Sequence, residues 1–215
     1  MNYLLAILLV AATANLEQAP PKTFVKPIQI FSNQENITYD ELYDEALFDC
    51  PFAKPNIEKQ KIIKSLIEIE KSHNLPPPLR GMLLAAACHE SGYNPGAEGD
   101  HKFSKNQKPM ALGLFQMWPW WIRAYNIDRS DPEQSANAYL RHVKSKLEKI
   151  KYLCHHKSLK RTWLAAWATA IRSPKKTGRC DEQPKFYRIL KRWHKNIKKN
   201  RQLDAECTDE GSCGC

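Results

Sequence analysis

One segment, PLRGMLLAAACHES at residues 78–91, constrains the fold more than any other. Drawn as a helix, it is apolar on nearly every side, so it cannot lie on a surface and must be enclosed by other elements. Three prolines mark its start, and Gly92 is a residue type that commonly ends a helix. The sequence therefore predicts a buried central helix whose polar end carries His89, Glu90 and Ser91.

Four further segments have apolar residues at helical spacing, with lysine and glutamate on the opposite face. Asn56 and Asp131 stand where a helix N-cap is expected. Apart from one strand-like run, TFVKPIQIF, no alternating pattern typical of strands is present. We predict a mainly α fold whose further helices cover residues 56–74, 131–153, 158–173 and 184–203.

The N-terminal region divides into a leader and an extension. LLAILLVAATA, from Leu4 to Ala14, is an apolar run that ends in a small-x-small pattern and is too short to span a bilayer. It predicts a secretory signal peptide over residues 1–14, and hence export to a periplasm or an extracellular space; an uncleaved anchor is the alternative. Residues 15–55 are interrupted by prolines and indicate an irregular extension that wraps the core or stays mobile. The main domain is expected at 56–203 and a cysteine-containing tail at 204–215.

Seven cysteines are present. In an exported chain they predict disulfides with one cysteine left over, and the sequence leaves their connectivity open. No spacing among them matches a strong zinc pattern, so we expect neither a metal nor another cofactor. The seven are Cys50, Cys88, Cys154, Cys180, Cys207, Cys213 and Cys215.

The net charge of +10 favours an acidic partner. Residues 172–201 hold twelve Lys and Arg against two acidic residues, together with an apolar stripe from Phe186 to Ile197. This region predicts attachment to an anionic wall; a membrane-surface helix is the alternative, although packing of the stripe against the domain is favoured. Export and the lack of a nucleic-acid motif argue against a nucleic-acid partner. We expect a monomer.

Glu90 is the residue on which chemistry would depend. Burial disfavours the ionised carboxylate, so a carboxyl at the end of an apolar helix can hold a proton near neutral pH and donate it. A glycosidase needs such an acid, because a sugar oxygen leaves poorly unless it is protonated. On the helical periodicity alone, a solvated charge at a helix end is the favoured alternative.

The segment ALGLFQMWPWW, residues 111–121, adds features of a sugar site. Gly113 allows a ligand to approach the backbone closely, and Gln116 offers both a hydrogen-bond donor and an acceptor. Trp118 and the two tryptophans after it provide flat faces on which sugars can stack. Core filling is the alternative for at least one of these tryptophans.

Together these motifs resemble the lysozyme-like lytic transglycosylases. Glu90–Ser91 with Asn94–Pro95, followed by the GLFQ element at 113–116, is similar to the ES and GLxQ motifs of that family. The resemblance covers about residues 56 to 193. It implies a helical lysozyme-like domain with a glycan groove, in which the glutamate is the catalytic acid. The bond cleaved would be the β-1,4 linkage between N-acetylmuramic acid and N-acetylglucosamine in peptidoglycan glycan strands.

The third motif of that family is not matched. In the family, an alanine-rich helix runs into Tyr-Asn-x-Gly, whereas here Trp167 stands for the tyrosine and Ala168 and Ala170 replace the asparagine and the glycine. A polar contact near the sugar is therefore missing, which suggests a preference for glycan without the N-acetyl group. The substrate-binding residues that we predict are Ser91, Gly113, Gln116, Trp118 and Trp167.

Asp100, in the loop between the two motifs, determines which reaction we expect. Gly99–Asp100 is similar to an element of the goose-type lysozymes, where a second carboxylate could activate water. A lytic transglycosylase would instead use Glu90 again, as a base toward the muramoyl 6-hydroxyl, and form a 1,6-anhydro product. The alternative is that the loop at 96–108 is only polar surface. For the whole chain, the second hypothesis is a non-catalytic basic antimicrobial protein that binds a wall or a membrane.

Overall fold

The fold is built mainly from helices, as the periodicity predicts. The computed structural model describes residues 36–50, 54–171 and 179–209, and for 206–209 it describes the backbone alone. Within these ranges the helices are α1 (Tyr39–Phe48), α2 (Ile57–Ser72), α3 (Met82–Ser91), α4 (Trp120–Tyr125), α5 (Pro132–Leu153), α6 (Leu159–Ala170) and α7 (Tyr187–Asp209). Two short antiparallel strands, β1 (Glu98–Gly99) and β2 (Ala111–Leu112), pair Glu98 with Leu112. The predicted signal peptide, the run TFVKPIQIF and the end of the tail lie outside the described residues.

Helix α3 is the buried central helix that the sequence predicts. Every residue from Met82 to Cys88 has an exposed fraction of 0%, and α1, α2 and α7 all contact this helix. Its first turn is held by Glu70 of α2, whose buried carboxylate accepts hydrogen bonds from the backbone N–H groups of Gly81 and Leu83. Gly92, in the left-handed region at φ 62°, ends it. The last turn of α3 is therefore fixed at the edge of the core.

Both predicted N-caps are confirmed. The side chain of Asn56 accepts a hydrogen bond of 2.7 Å from the backbone N–H of Lys59. The side chain of Asp131 accepts bonds of 2.9 Å from the N–H groups of Glu133 and Gln134. Each cap satisfies backbone donors that the first helical turn leaves unpaired.

The second half of the N-terminal extension differs from the irregular segment that we expected. Residues 39–48 form α1, and a reciprocal capping box between Thr38 and Glu41 starts it. Leu42 and Ala46 are 0% exposed, so this helix belongs to the core. The compact helical unit therefore includes α1 and begins at Asn36.

Helix α7 buries the apolar stripe of the basic C-terminal region. Leu190 and Trp193 are 0% exposed, and the helix is held against α1 by an ion pair of 2.7 Å between Arg192 and Asp49. Arg201 and Glu41 form a second, bidentate pair. Because the apolar face is already covered, the packing prediction is confirmed and this stripe is not available to a membrane surface.

Two disulfides cross-link the unit. Cys50–Cys88 joins the segment after α1 to α3, and Cys154–Cys180 joins the end of α5 to the segment before α7. The side chains of the other three cysteines lie outside the described residues. Stable disulfides are typical of oxidising compartments, in agreement with an exported chain. In the described ranges, no helix is both long and apolar enough to cross a membrane.

Candidate active site

Glu90 is a largely buried carboxyl in the last turn of α3. Its burial raises its pKa from an ordinary 4.5 to about 7; the charge of Asp100 raises it as well, and the ammonium group of Lys185 acts in the opposite direction. Among the described residues, no group is hydrogen-bonded to this carboxyl. A carboxyl in these surroundings holds a proton near neutral pH and can donate it, as the position of Glu90 in the sequence predicts.

Ser91 joins the two sequence motifs. Its hydroxyl lies 3.0 Å from the carbonyl oxygen of Leu114 and 3.1 Å from that of Ala87 in the preceding turn. A hydroxyl has one proton to donate, so these two carbonyls compete for it. Ser91 thereby ties the GLFQ segment to the helix that carries Glu90, and its contact with sugar stays a prediction.

Gly113 and Gln116 shape the turn that follows β2 and hold it against the segment around β1. Gly113 has φ +79°, and a Cβ there would overlap the backbone carbonyl oxygen of Arg129. The Nε2 atom of Gln116 donates to the carbonyls of Ala97 at 3.0 Å and of Gly113 at 3.1 Å. A Cβ on Gly99 would overlap the Oε1 atom of Gln116. These contacts give both predicted residues a role in shaping the loop, and their contacts with substrate stay predictions.

Asp100 follows β1 in an exposed, left-handed conformation with φ 58°. Its carboxylate accepts a hydrogen bond of 2.9 Å from the indole N–H of Trp118. The ring of Trp118 packs against that of Phe103, with 5.6 Å between the centroids, and Phe103 is 57% exposed. The loop therefore places a carboxylate beside an aromatic surface that is open to solvent, within electrostatic reach of Glu90.

Trp167 lies elsewhere than the resemblance implies, and here the sequence interpretation needs correction. Its side chain is 0% exposed and packs between Tyr139 and Phe186, at centroid distances of 5.5 and 5.7 Å. Helix α6 is apolar nearly all round, so its third-motif positions, including Ala168, are enclosed by the other helices. Trp167 is a core residue in this structure, and its faces are closed to a sugar.

Of the two tryptophans that follow Trp118, one fills the core, so the core-filling alternative is confirmed for that residue. Trp121 is 5% exposed, while Trp120 is 38% exposed and stacks on it at 4.4 Å. Both rings contact His142 of α5, whose Nδ1 is hydrogen-bonded to the hydroxyl of Tyr125 at 2.6 Å. Burial lowers the pKa of His142 to about 4, so this histidine is neutral at physiological pH and serves the packing of α4 on α5.

Two residues that interact electrostatically with Glu90 are not apparent from the sequence motifs. Lys185, just before α7, is an exposed ammonium whose charge favours the ionised form of Glu90. Tyr139 of α5 is a buried phenol on which the charge of Glu90 acts. Both are distant from Glu90 in sequence, and Tyr139 counts as one more apolar position of its helix. No local pattern could have identified them.

Within the described ranges, no group of three or more His, Cys, Asp or Glu residues is placed to hold a metal ion. The chemistry available to the site comes from its carboxyls and its aromatic surface.

Comparison of the chain with protein-family models, with curated proteins and with solved structures finds no match.

Proposed function

We propose that the chain is an exported glycosidase that cleaves the β-1,4 bond between N-acetylmuramic acid and N-acetylglucosamine in peptidoglycan, with Glu90 as general acid. The observation that carries the proposal is the largely buried Glu90 carboxyl, with a pKa of about 7, within electrostatic reach of the exposed Asp100 carboxylate, which is hydrogen-bonded to Trp118 in its ring pair with the exposed Phe103. Glycoside cleavage needs a protonated acid next to a face that a glycan can reach.

In the first step, Glu90 gives its proton to the glycosidic oxygen as the bond from that oxygen to the anomeric carbon breaks. The leaving sugar departs as an alcohol, and the remaining sugar passes through an oxocarbenium-like state. Glu90 is left ionised in a largely buried position, where the nearby ammonium of Lys185 partly offsets the cost of its charge.

The second step has two routes, which give different products. In one, the exposed carboxylate of Asp100, oriented by Trp118, takes a proton from a water that attacks the sugar. In the other, the ionised Glu90 takes the proton of the muramoyl 6-hydroxyl, which then closes onto the anomeric carbon. The water route gives reducing ends, and the internal route gives 1,6-anhydro ends.

The basic surface of α7 suits an anionic wall. The helix buries its apolar stripe and leaves exposed cations, including Arg188, Lys191 and Lys195, on the opposite face. Attachment through such a face depends on charge alone, so it should weaken as salt is added. The same surface is what a non-catalytic wall-binding protein would use.

The proposal extends to the sugar's N-acetyl group. Ala168 and Ala170, at the third-motif positions, are buried in the core, so these positions offer the N-acetyl group no contact. Because no contact from them favours the N-acetyl group, we expect glycan without it to be cleaved better than the fully acetylated form. Equal rates on acetylated and chemically deacetylated peptidoglycan would remove this part of the proposal.

The main test digests purified peptidoglycan with the wild type and with Glu90→Gln, and weighs the soluble products by mass spectrometry. Loss of a general acid should slow release by at least about 10²-fold. Glu98→Gln is the matched control, because Glu98 is an exposed carboxylate of the same loop region and should keep full activity.

Three outcomes would count against catalysis by Glu90. Equal product release by the wild type and Glu90→Gln would contradict it directly. An equal loss in Glu98→Gln would assign the effect to general loop charge. Tight binding to peptidoglycan without any product, for the wild type and both variants, would support the non-catalytic alternative.

A further inference from the structure

The ring of Tyr139 is held in place by other aromatic rings. It stacks on Phe115 with 4.7 Å between centroids, and it also contacts Trp121 at 6.0 Å and Trp167 at 5.5 Å. The residue is 2% exposed. Its hydroxyl therefore has a defined direction, set by three neighbours on different segments of the chain.

The hydroxyl of Tyr139 is buried without a hydrogen-bond partner among the described residues. Buried polar groups are rarely left unpaired, so each such group calls for an explanation. The ionisable group whose charge acts on this hydroxyl is Glu90. The backbone supports the same placement, because Ser91 bonds the carbonyl of Leu114 at 3.0 Å and the next residue, Phe115, stacks on Tyr139.

We infer that Tyr139 is a positioning residue for Glu90, and that its hydroxyl donates a hydrogen bond to the carboxylate that remains after Glu90 has released its proton. The pairing gives a partner to the buried Tyr139 hydroxyl, and a donor to a largely buried carboxylate to which no described group is hydrogen-bonded. Burial keeps the pKa of Tyr139 well above its ordinary value, so the phenol stays protonated and acts as a donor throughout. Its role in cleavage rests on the proposed function, whereas the pairing itself does not.

Other charges also act on Glu90, and the test must separate them from Tyr139. Asp100 faces it from the loop after β1, and Lys185 faces it from the segment before α7. The pKa of His89, its neighbour on α3, is lowered by burial and by the charges of Lys185 and Arg188, all of which favour the neutral imidazole. Replacing Tyr139 by phenylalanine leaves all of these groups in place and removes only the donor.

The experiment titrates Glu90 in the full chain by carbon-13 NMR of labelled glutamate carboxyls, with the resonance assigned through Glu90→Gln. In Tyr139→Phe, the pKa of Glu90 should rise by about one pH unit, the size expected when a hydrogen bond to a charged group is lost. On peptidoglycan, turnover should fall about tenfold with little change in KM, and the alkaline limb of the rate should move upward by the same pH interval.

Tyr93→Phe is the matched control. Tyr93 is also 2% exposed, but its hydroxyl donates to the carbonyl of Leu84 at 3.1 Å. This variant should lower the thermal unfolding temperature and leave the Glu90 titration unchanged. At pH 5, where Glu90 is protonated and the inferred bond to its carboxylate is absent, Tyr139→Phe should leave the unfolding temperature unchanged or raise it.

The outcomes separate the inference from the proposed function. An unchanged Glu90 titration in Tyr139→Phe would overturn the inference, even if the wild type cleaves peptidoglycan. A shifted titration in a protein that releases no product would support the pairing and overturn the proposed function. An equal shift in Tyr93→Phe would also overturn the inference, because the effect would then not depend on the Tyr139 hydroxyl.

Discussion

Replacing Glu90 by glutamine should stabilise the protein at alkaline pH. Burial raises the pKa of Glu90 to about 7, whereas in the unfolded chain the carboxyl has its ordinary value of 4.5. Between pH 4.5 and about 7, the folded state therefore keeps the proton of Glu90, whereas the unfolded state has released it. The stability associated with this carboxyl is complete below pH 4.5 and is lost as the pH rises through 7. Glutamine does not titrate, so the variant should escape that loss.

The size of the effect follows from the two pKa values. The interval from 4.5 to about 7 corresponds to about 3 kcal/mol, since each pH unit is worth about 1.4 kcal/mol. Glu90 keeps some contact with solvent, so we expect a gain of about 2 kcal/mol in the free energy of unfolding. Glu70 is also buried with a pKa raised to about 7, but it is present in both proteins and cancels in the comparison.

The assay is urea unfolding of the wild type and Glu90→Gln, followed by circular dichroism at pH 5 and at pH 8. Near pH 5 the two free energies of unfolding should be similar, and the variant's advantage should widen toward pH 8. If the difference in free energy of unfolding between Glu90→Gln and the wild type stays constant with pH, the raised pKa of Glu90 is refuted. A gap that widens in the other direction would mean that the folded protein stabilises the ionised form. Either result would remove the physical basis for Glu90 as an acid.

Three further changes test other parts of the structure. Gly113→Ala should destabilise the fold by more than about 1 kcal/mol in thermal unfolding, because a Cβ at this left-handed residue overlaps the carbonyl of Arg129. His142→Gln should lessen the loss of stability in acid: burial lowers the pKa of His142 to about 4, so its contribution is complete above pH 6.5 and is lost as the pH falls toward 4. Asp100→Asn should lower the pKa of Glu90, measured by carbon-13 titration, because the charge of Asp100 raises it.

Matched variants control these predictions. Gly96→Ala should be tolerated, because the nearest atom to a Cβ there lies at an ordinary 3.5 Å, so equal destabilisation by the two glycine variants would contradict the overlap at Gly113. Lys185→Gln should move the pKa of the candidate acid opposite to Asp100→Asn, and a shift of the same sign would contradict the assigned charges. If His142→Gln loses as much stability in acid as the wild type, His142 is not the cause of that loss.

Several features of the molecule follow from residues that are close together in sequence. The N-caps at Asn56 and Asp131, the burial of residues 82–88 and the position of Glu90 at the end of an apolar helix all depend on spacing within a few turns. The raised pKa of Glu90 belongs to this group, because its main cause is burial. Even α1, which differs from the expectation, carries its signal locally in the capping box of Thr38 and Glu41.

Only the tertiary structure determines which groups surround the Glu90 carboxyl. Cys88 pairs with Cys50, Trp167 is enclosed in the core, and Tyr139 and Lys185 interact electrostatically with Glu90 from distant segments. Helical periodicity tells which face of a helix is buried, but it does not tell which other helix covers that face. The apolar pattern of this chain therefore determines that Glu90 lies at the end of a buried helix, and the tertiary structure determines that the charges of Asp100 and Lys185 act on it.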